Sequence, residues 1–159
     1  MSCAIDTSGY LHIAFQNTKG QLVYAKSTNN PSDGSAYTFG ASQVLDDSGM
    51  WIDMKLNGTT PYISYLSKIN SYDGMKIAFW NQNFDENNDG IADTYDYDGD
   101  GVTDATGGWE TLTAAMDAKV TNVRTCIELN AKAYDTNSYT AAIGFCPGLD
   151  YRAAFYVGQ

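Results

Sequence analysis

Apolar and polar positions alternate with a period of two in short runs, and turns bearing Gly, Asn or Asp separate the runs. This is the pattern of half-buried strands. Three segments carry it in one form: "GYLHIAFQNTKGQLVYAK" from Gly9 to Lys26, "TPYISYLSKINSYDGMKIAFW" from Thr60 to Trp80, and "SYTAAIGFCPGLDYRAAFYV" from Ser138 to Val157. Ile13, Ile63 and Ile143 correspond, and each is followed two residues on by Phe15, Tyr65 or Phe145. Turns at Lys19-Gly20, Asp73-Gly74 and Pro147-Gly148, with return strands beginning at Leu22, Lys76 and Arg152, make each segment a β-hairpin. A strand precedes each hairpin ("SCAID", "WIDMKLN", "RTCIELN"). An outer strand led by an aromatic follows the first two, from Phe39 to Asp47 and from Trp109 to Asp117. The best helix candidate, "LTAAMDAKV", falls at the end of an outer strand.

The implied unit is four antiparallel strands in up-and-down order. The matching isoleucines lie 50 residues apart between the first and second units and 80 apart between the second and third, and an acidic insert accounts for much of the excess. Four-stranded units at such a period are the mark of β-propeller blades. The expected fold is all-β: a partial, propeller-like array of three consecutive antiparallel blades. They fall at 1–47, at 48–117 with an insert at 83–107, and at 118–159, where the outer strand is missing.

The stretch "IDTSGYLHIAFQNTKGQLVYAKS" resembles the blades of secreted propellers with sialidase-like repeats. The resemblance covers most of the chain outside the insert. It implies the fold, and a place for Trp109 packed between blades, rather than an activity. The sialidase Asp-box is not intact, since Asp47-Ser48-Gly49-Met50-Trp51 is one residue short of it and lacks its leading serine. Propellers close with about four to eight blades. Three are therefore expected to need the remaining blades of a longer parent chain, or a second copy of this chain. Met1 stands directly before a strand with no basic-then-apolar leader, as expected of a piece excised from a longer protein.

Of the net charge of −10 on 159 residues, "DENNDGIADTYDYDGDGVTD", from Asp85 to Asp104, supplies −8. The rest is nearly neutral. It offers nucleic acid no basic patch, and no apolar run is long enough to cross a membrane as a helix. A run of like charge repels itself unless a counter-charge completes it. Asp85-x-Asn87-x-Asp89-Gly90-Ile91-x-Asp93 and Asp96-x-Asp98-x-Asp100-Gly101-Val102-x-Asp104, 11 residues apart, match the front of an EF-hand-type calcium loop. In that pattern the side-chain oxygens at positions 1, 3 and 5 converge, Gly at 6 permits the bend, and the carbonyl at 7, here of Ile91 or Val102, adds a ligand. The apolar side chain at 7 is free to pack away from the ion. Two calcium ions are expected, and the alternative is a solvated acidic loop. Asp96 closes the first loop and opens the second, and this sharing resembles thrombospondin type 3 repeats. The second loop departs from the pattern at its twelfth position, Gly107, so Glu110 or water is expected to complete that site.

Cys3, Cys126 and Cys146 have neither zinc nor haem spacing. They are buried free thiols or hold one disulfide. Calcium loops imply an oxidising, extracellular setting. There, a hairpin centred near Thr136 brings Cys126 and Cys146 opposite each other and leaves Cys3 unpaired. His12 corresponds to Tyr62 and reads as a structural strand residue, and Asp6 as a turn residue. Asp53, Lys55 and Glu128 lie on first strands, which line a propeller's channel. They read as solvent-wetted lining rather than as a glycosidase acid/base pair. No catalytic residue is identified. The expected function is an extracellular or cell-surface, calcium-stabilised module that binds protein or carbohydrate, or acts as a scaffold. A piece of a carbohydrate-active enzyme, and a self-assembling unit built of half-propellers, are the alternatives.

Overall fold

Two four-stranded sheets and one three-stranded sheet are antiparallel throughout, and the first strand of the second sheet touches the first strands of the other two. The computed structural model describes residues 1–69, 72–95, 101, 103, 105–117, 126–131, 139–145 and 152–157, and among these there is no helix. Sheet 1 runs β1 (Ser2–Ile5), β2 (Leu11–Gln16), β3 (Leu22–Lys26) and β4 (Gln43–Asp46), all antiparallel neighbours. Sheet 2 runs β5 (Met50–Asn57), β6 (Thr60–Ile69) and β7 (Tyr72–Asn81). A two-stranded ribbon in the insert, β8 (Thr94–Tyr95) with β9 (Ala105–Thr106), precedes its outer strand β10 (Gly108–Asp117). Sheet 3 is β11 (Cys126–Ala131), β12 (Tyr139–Phe145) and β13 (Arg152–Val157).

The pairing register makes the repeat explicit. Ile13 faces Ala25, Ile63 faces Ala78 and Ile143 faces Ala154. On their other side the same isoleucines face Cys3, Met54 and Ile127. Counted from these alanines, Val23 rather than Leu22 is the partner of Lys76 in the repeat. The second hairpin also differs from expectation. Asp73 and Gly74 lie inside β7, opposite Lys68 and Ser67, and the ladder runs on to the Ile69–Tyr72 pair. The long ladder overrides the local turn preference of Asp-Gly. The outer strand of unit 1 is shorter than expected, because Phe39 makes an isolated bridge to Ser27 and regular pairing starts at Gln43. Pro147-Gly148 lies outside the described residues.

Burial follows the stacking. On β2 buried and half-buried residues alternate, while Leu22, Val23, Tyr24 and Ala25 of the neighbouring β3 are all buried. On β6, Ile63, Ser64, Tyr65, Leu66 and Ser67 are all buried in succession, so sheet 2 is covered on both faces. Ala14, Leu22 and Tyr24 of sheet 1 pack with Met54, Ile63, Tyr65 and Ala78 of sheet 2. Asp46, at the end of β4, pins the two sheets. It accepts from the Tyr65 hydroxyl at 2.8 Å, Ser67 Oγ at 3.3 Å and Lys76 Nζ at 2.6 Å. Burial pushes its carboxyl up, but the hydrogen bonds from Lys76, Tyr65 and the Ser48 N–H, with the lysine charge, outweigh burial and hold it below the usual carboxylate value. Burial and the Asp46 charge push the Tyr65 hydroxyl well above its usual range.

A second pin joins the first strands of all three sheets. Ser2 Oγ accepts the Met54 N–H at 3.1 Å and donates to Asp53 Oδ1 at 3.3 Å, and Asp53 Oδ2 accepts the Ile127 N–H at 3.1 Å. Asp53 is thus bonded between sheets rather than merely wetted by solvent. β5 also carries a bulge between Met50 and Asp53, where Trp51 takes a φ of 53° and stays 48 % exposed.

Candidate functional site: an aromatic cleft beside the acidic insert

Sheets 1 and 2 leave a cleft of about 620 Å³ between them, lined among others by Tyr10, Lys26, Gln43, Trp80, Gln82 and Trp109. Trp109 lies where sequence reasoning placed it, packed between sheets. It meets Tyr24 edge-on at 4.7 Å and Trp80 edge-on at 5.9 Å. Its indole N–H donates to Gln43 Oε1 at 2.6 Å, across the sheet boundary. Trp80, Trp109 and Gln43 also line a second cleft of about 370 Å³, where they meet Phe84, Glu86 and Gly108 at the base of the insert. The tryptophan pair thus stands between two hollows, one of them bounded by the acidic loop. The Trp80 indole donates to the Thr106 carbonyl at 3.3 Å and ties the pair to that loop.

Under the larger cleft lies a buried polar chain that sequence reasoning missed. Asp6 Oδ1 accepts from the N–H groups of Ser8 and Tyr10 at 2.8 and 2.9 Å, as a turn residue does. Its Oδ2 meets His12 Nε2 at 3.0 Å and Lys26 Nζ at 3.5 Å. His12 Nδ1 lies 2.7 Å from the Tyr24 hydroxyl. Burial pushes the Asp6 carboxyl up, but hydrogen bonds from His12, Tyr10 and Ser8 and the Lys26 charge hold it below its usual value. Burial lowers His12, and this outweighs the pull of the Asp6 hydrogen bond. An ionised Asp6 can only accept, so the neutral ring carries its proton on Nε2, and Nδ1 accepts from Tyr24. The available signal was register: His12 faces Lys26 and Ala14 faces Tyr24, so His12 and Tyr24 are diagonal neighbours on one face.

The front of the first acidic loop is described. Asp85 accepts the N–H groups of Asp89 and Gly90 at 3.1 and 2.7 Å. Asn87 Oδ1 accepts from Asp89 at 2.9 Å, and Asp89 Oδ1 from Ile91 at 2.8 Å. Asp93 Oδ2 accepts from Glu86 at 2.8 Å. Gly90 has a φ of +86°, which gives the bend its direction. The donor set is all oxygen, the chemistry a hard cation such as calcium takes. Ile91 is 71 % exposed instead of packed. Among the described residues no three His, Cys, Asp or Glu side chains come close enough to hold a metal. Asp96, Asp98, Asp100, Val102 and Asp104 lie outside the described residues.

Gly107, the odd twelfth position, has a structural reason. Its φ is +105°, and a side chain there would run into the carbonyl of Asn81. Glu110, the expected substitute ligand, has Oε1 held by Asn81 Nδ2 at 2.5 Å.

Asp53 is engaged between sheets, and the side chain of Glu128 lies outside the described residues. Among the described residues lining the larger cleft none is Asp or Glu. Cys126 is paired with Gly144, two residues short of Cys146, and Cys146 itself lies outside the described residues. Cys3 is free and exposed. Compared with protein-family models, with curated proteins and with solved structures, the chain matches none of them.

Proposed function

We propose that this chain is a calcium-organised β-propeller segment of extracellular or cell-surface type, and that it binds carbohydrate in the cleft between its first two sheets. The observation that carries the reading is the Trp80–Trp109 pair, which stands between two clefts and is tied to the acidic insert. Indole and phenol faces stack on the C–H faces of a pyranose, and the amides of Gln43 and Gln82 match its hydroxyls. Up-and-down units in register, stacked on first strands, support the propeller. The Asx hydrogen bonds from Asp85 to Asp93 support a calcium loop.

Calcium would supply charge neutralisation of the insert. Asp85, Asn87, Asp89, Asp93 and the Ile91 carbonyl would hold the first ion with Asp96. The second would fall to Asp96, Asp98, Asp100, Asp104 and the Val102 carbonyl. The chain's own residues do the recognition: Trp80 lines the cleft with Tyr10, whose ring carries the Lys26 ammonium 4.8 Å from its centroid, and Phe84 and Glu86 bring the insert to the second cleft's wall.

Titration of neutral and uronate oligosaccharides, followed by tryptophan fluorescence and calorimetry with and without calcium, tests the reading. Binding that weakens on chelation and is lost in Trp80→Ala is expected. No saccharide binding by the calcium-loaded chain would reject the carbohydrate reading.

A further inference from the structure

The outer face of sheet 1 is apolar. Cys3, Ile5, Ile13, Phe15 and Val44 alternate along their strands with the residues that pack on sheet 2. Ile5 is 58 % and Val44 55 % exposed, and Cys3 is exposed as well. This is the face that sheet 2 lays over sheet 1, one repeat earlier: Met54, Ile63 and Tyr65 hold the positions of Cys3, Ile13 and Phe15, and all three are buried. Ile127 holds the Cys3 position in sheet 3 and is buried too. The same contact is therefore made twice inside the chain, while on the equivalent face of sheet 1 Val23 and Ala25 are buried, Ile13 and Phe15 only half-buried, and Cys3, Ile5 and Val44 exposed.

We propose that this face docks sheet 3 of a second copy of the chain, head to tail, and so continues the stack. The proposal rests on the propeller part of the reading above and not on the cleft or on calcium. Each internal contact sets one register position of the earlier sheet against the next position of the later one. Ser2 meets the N–H of Met54, and Asp53 meets that of Ile127. Ser2, Asp53 and Cys126 share the first position, opposite Ala14, Ser64 and Gly144. Continuing the stack sets the Cys126 position of one copy against Cys3 of the other. Two copies joined at both ends supply six sheets, within the range of about four to eight found in closed propellers.

Sedimentation of the calcium-loaded chain should give a dimer. The double variant Ile5→Lys/Val44→Lys, at positions exposed in the single chain, should keep its circular dichroism and lose the dimer. Diamide added to the Cys146→Ser chain takes two electrons and two protons from a thiol pair. It should yield a Cys3–Cys126 peptide joining two chains. A monomer at every concentration would assign the face to repeats outside these 159 residues and overturn the proposal. A Cys3–Cys3 link in place of Cys3–Cys126 would mean face-to-face pairing and overturn the head-to-tail arrangement. Saccharide and calcium binding retained by such a monomer would confine the failure to docking.

Discussion

The Asp53 carboxylate accepts the Ile127 N–H at 3.1 Å, and one repeat earlier the Ser2 hydroxyl accepts the Met54 N–H at the same distance. Each first strand is the edge of its own sheet, so alternate N–H groups point away from the ladder and need an acceptor. The neighbouring sheet supplies one from a single register position, and the Met54 N–H is shared with Asp53 Oδ1 of its own strand at 3.0 Å. Asp53→Ala should leave the Ile127 N–H and the Ser2 hydroxyl without their partner and cost about 1–3 kcal/mol. Asp53→Asn keeps one acceptor oxygen and should lose less. Urea unfolding of the two variants measures this, and equal losses would show that the acceptor does not matter.

The strands were legible because alternation is local and the isoleucine repeat is long-range but periodic. The pins were not. Asp46 meets Tyr65 and Lys76 across a sheet boundary, and in sequence Tyr65 looks like another version of Phe15 and Phe145. Only its hydroxyl separates it from them, and its partner sits in another unit. His12 likewise aligned with Tyr62 and passed as a strand residue, although Asp6 had already been recognised at the turn. The calcium pattern of the insert was readable from spacing. The purpose of Gly107 was not, because two backbones approach closely there.

Asp46 carries the contact between sheets 1 and 2 at its polar edge. Asp46→Ala strands a partly buried lysine and the buried Tyr65 hydroxyl, and a loss of about 1.5–3 kcal/mol is expected. Tyr65→Phe removes one bond but leaves Lys76 paired, and should cost less. Thermal unfolding of both variants decides the order.

Acid should act in two stages. The folded pKa of His12 lies below its ordinary 6.5, so the unfolded chain takes up that proton first. The stability tied to neutral His12 is complete above 6.5 and is lost as pH falls below it. Asp6 and Asp46 lie below the ordinary 3.8, and their contributions are lost only as pH falls below that value. Stability measured between pH 7 and 5 should therefore decline in the parent chain and much less in His12→Gln. The same decline in both would remove His12 from the account.

Gly107→Ala puts a methyl group against the Asn81 carbonyl in a conformation that L-residues rarely adopt. Strain of about 1–3 kcal/mol is expected, concentrated where the insert rejoins sheet 2. Because the Trp80 indole bonds to the Thr106 carbonyl next door, its fluorescence should report the change. Unchanged emission and unchanged stability would mean that the loop re-forms around the methyl group at no cost.

The proposed sharing of Asp96 between two calcium loops makes a prediction that a merely acidic loop does not. Asp85 is held by the N–H groups of Asp89 and Gly90, within the first loop. Its removal should damage mainly the first site. Asp96 ends one loop pattern and begins the next, so its removal should damage both. Extracellular modules bind calcium at roughly 10⁻⁴ to 10⁻³ M. At about one hundred times the dissociation constant each independent site adds about 2.7 kcal/mol to the folded form. Asp96→Ala should then lose about twice the calcium-dependent stabilisation lost by Asp85→Ala. Calorimetry with calcium alone, and unfolding with and without it, read the two losses separately. Equal losses would dismiss the shared carboxylate. A parent chain that binds no calcium at millimolar concentration would leave the acidic run as solvated charge.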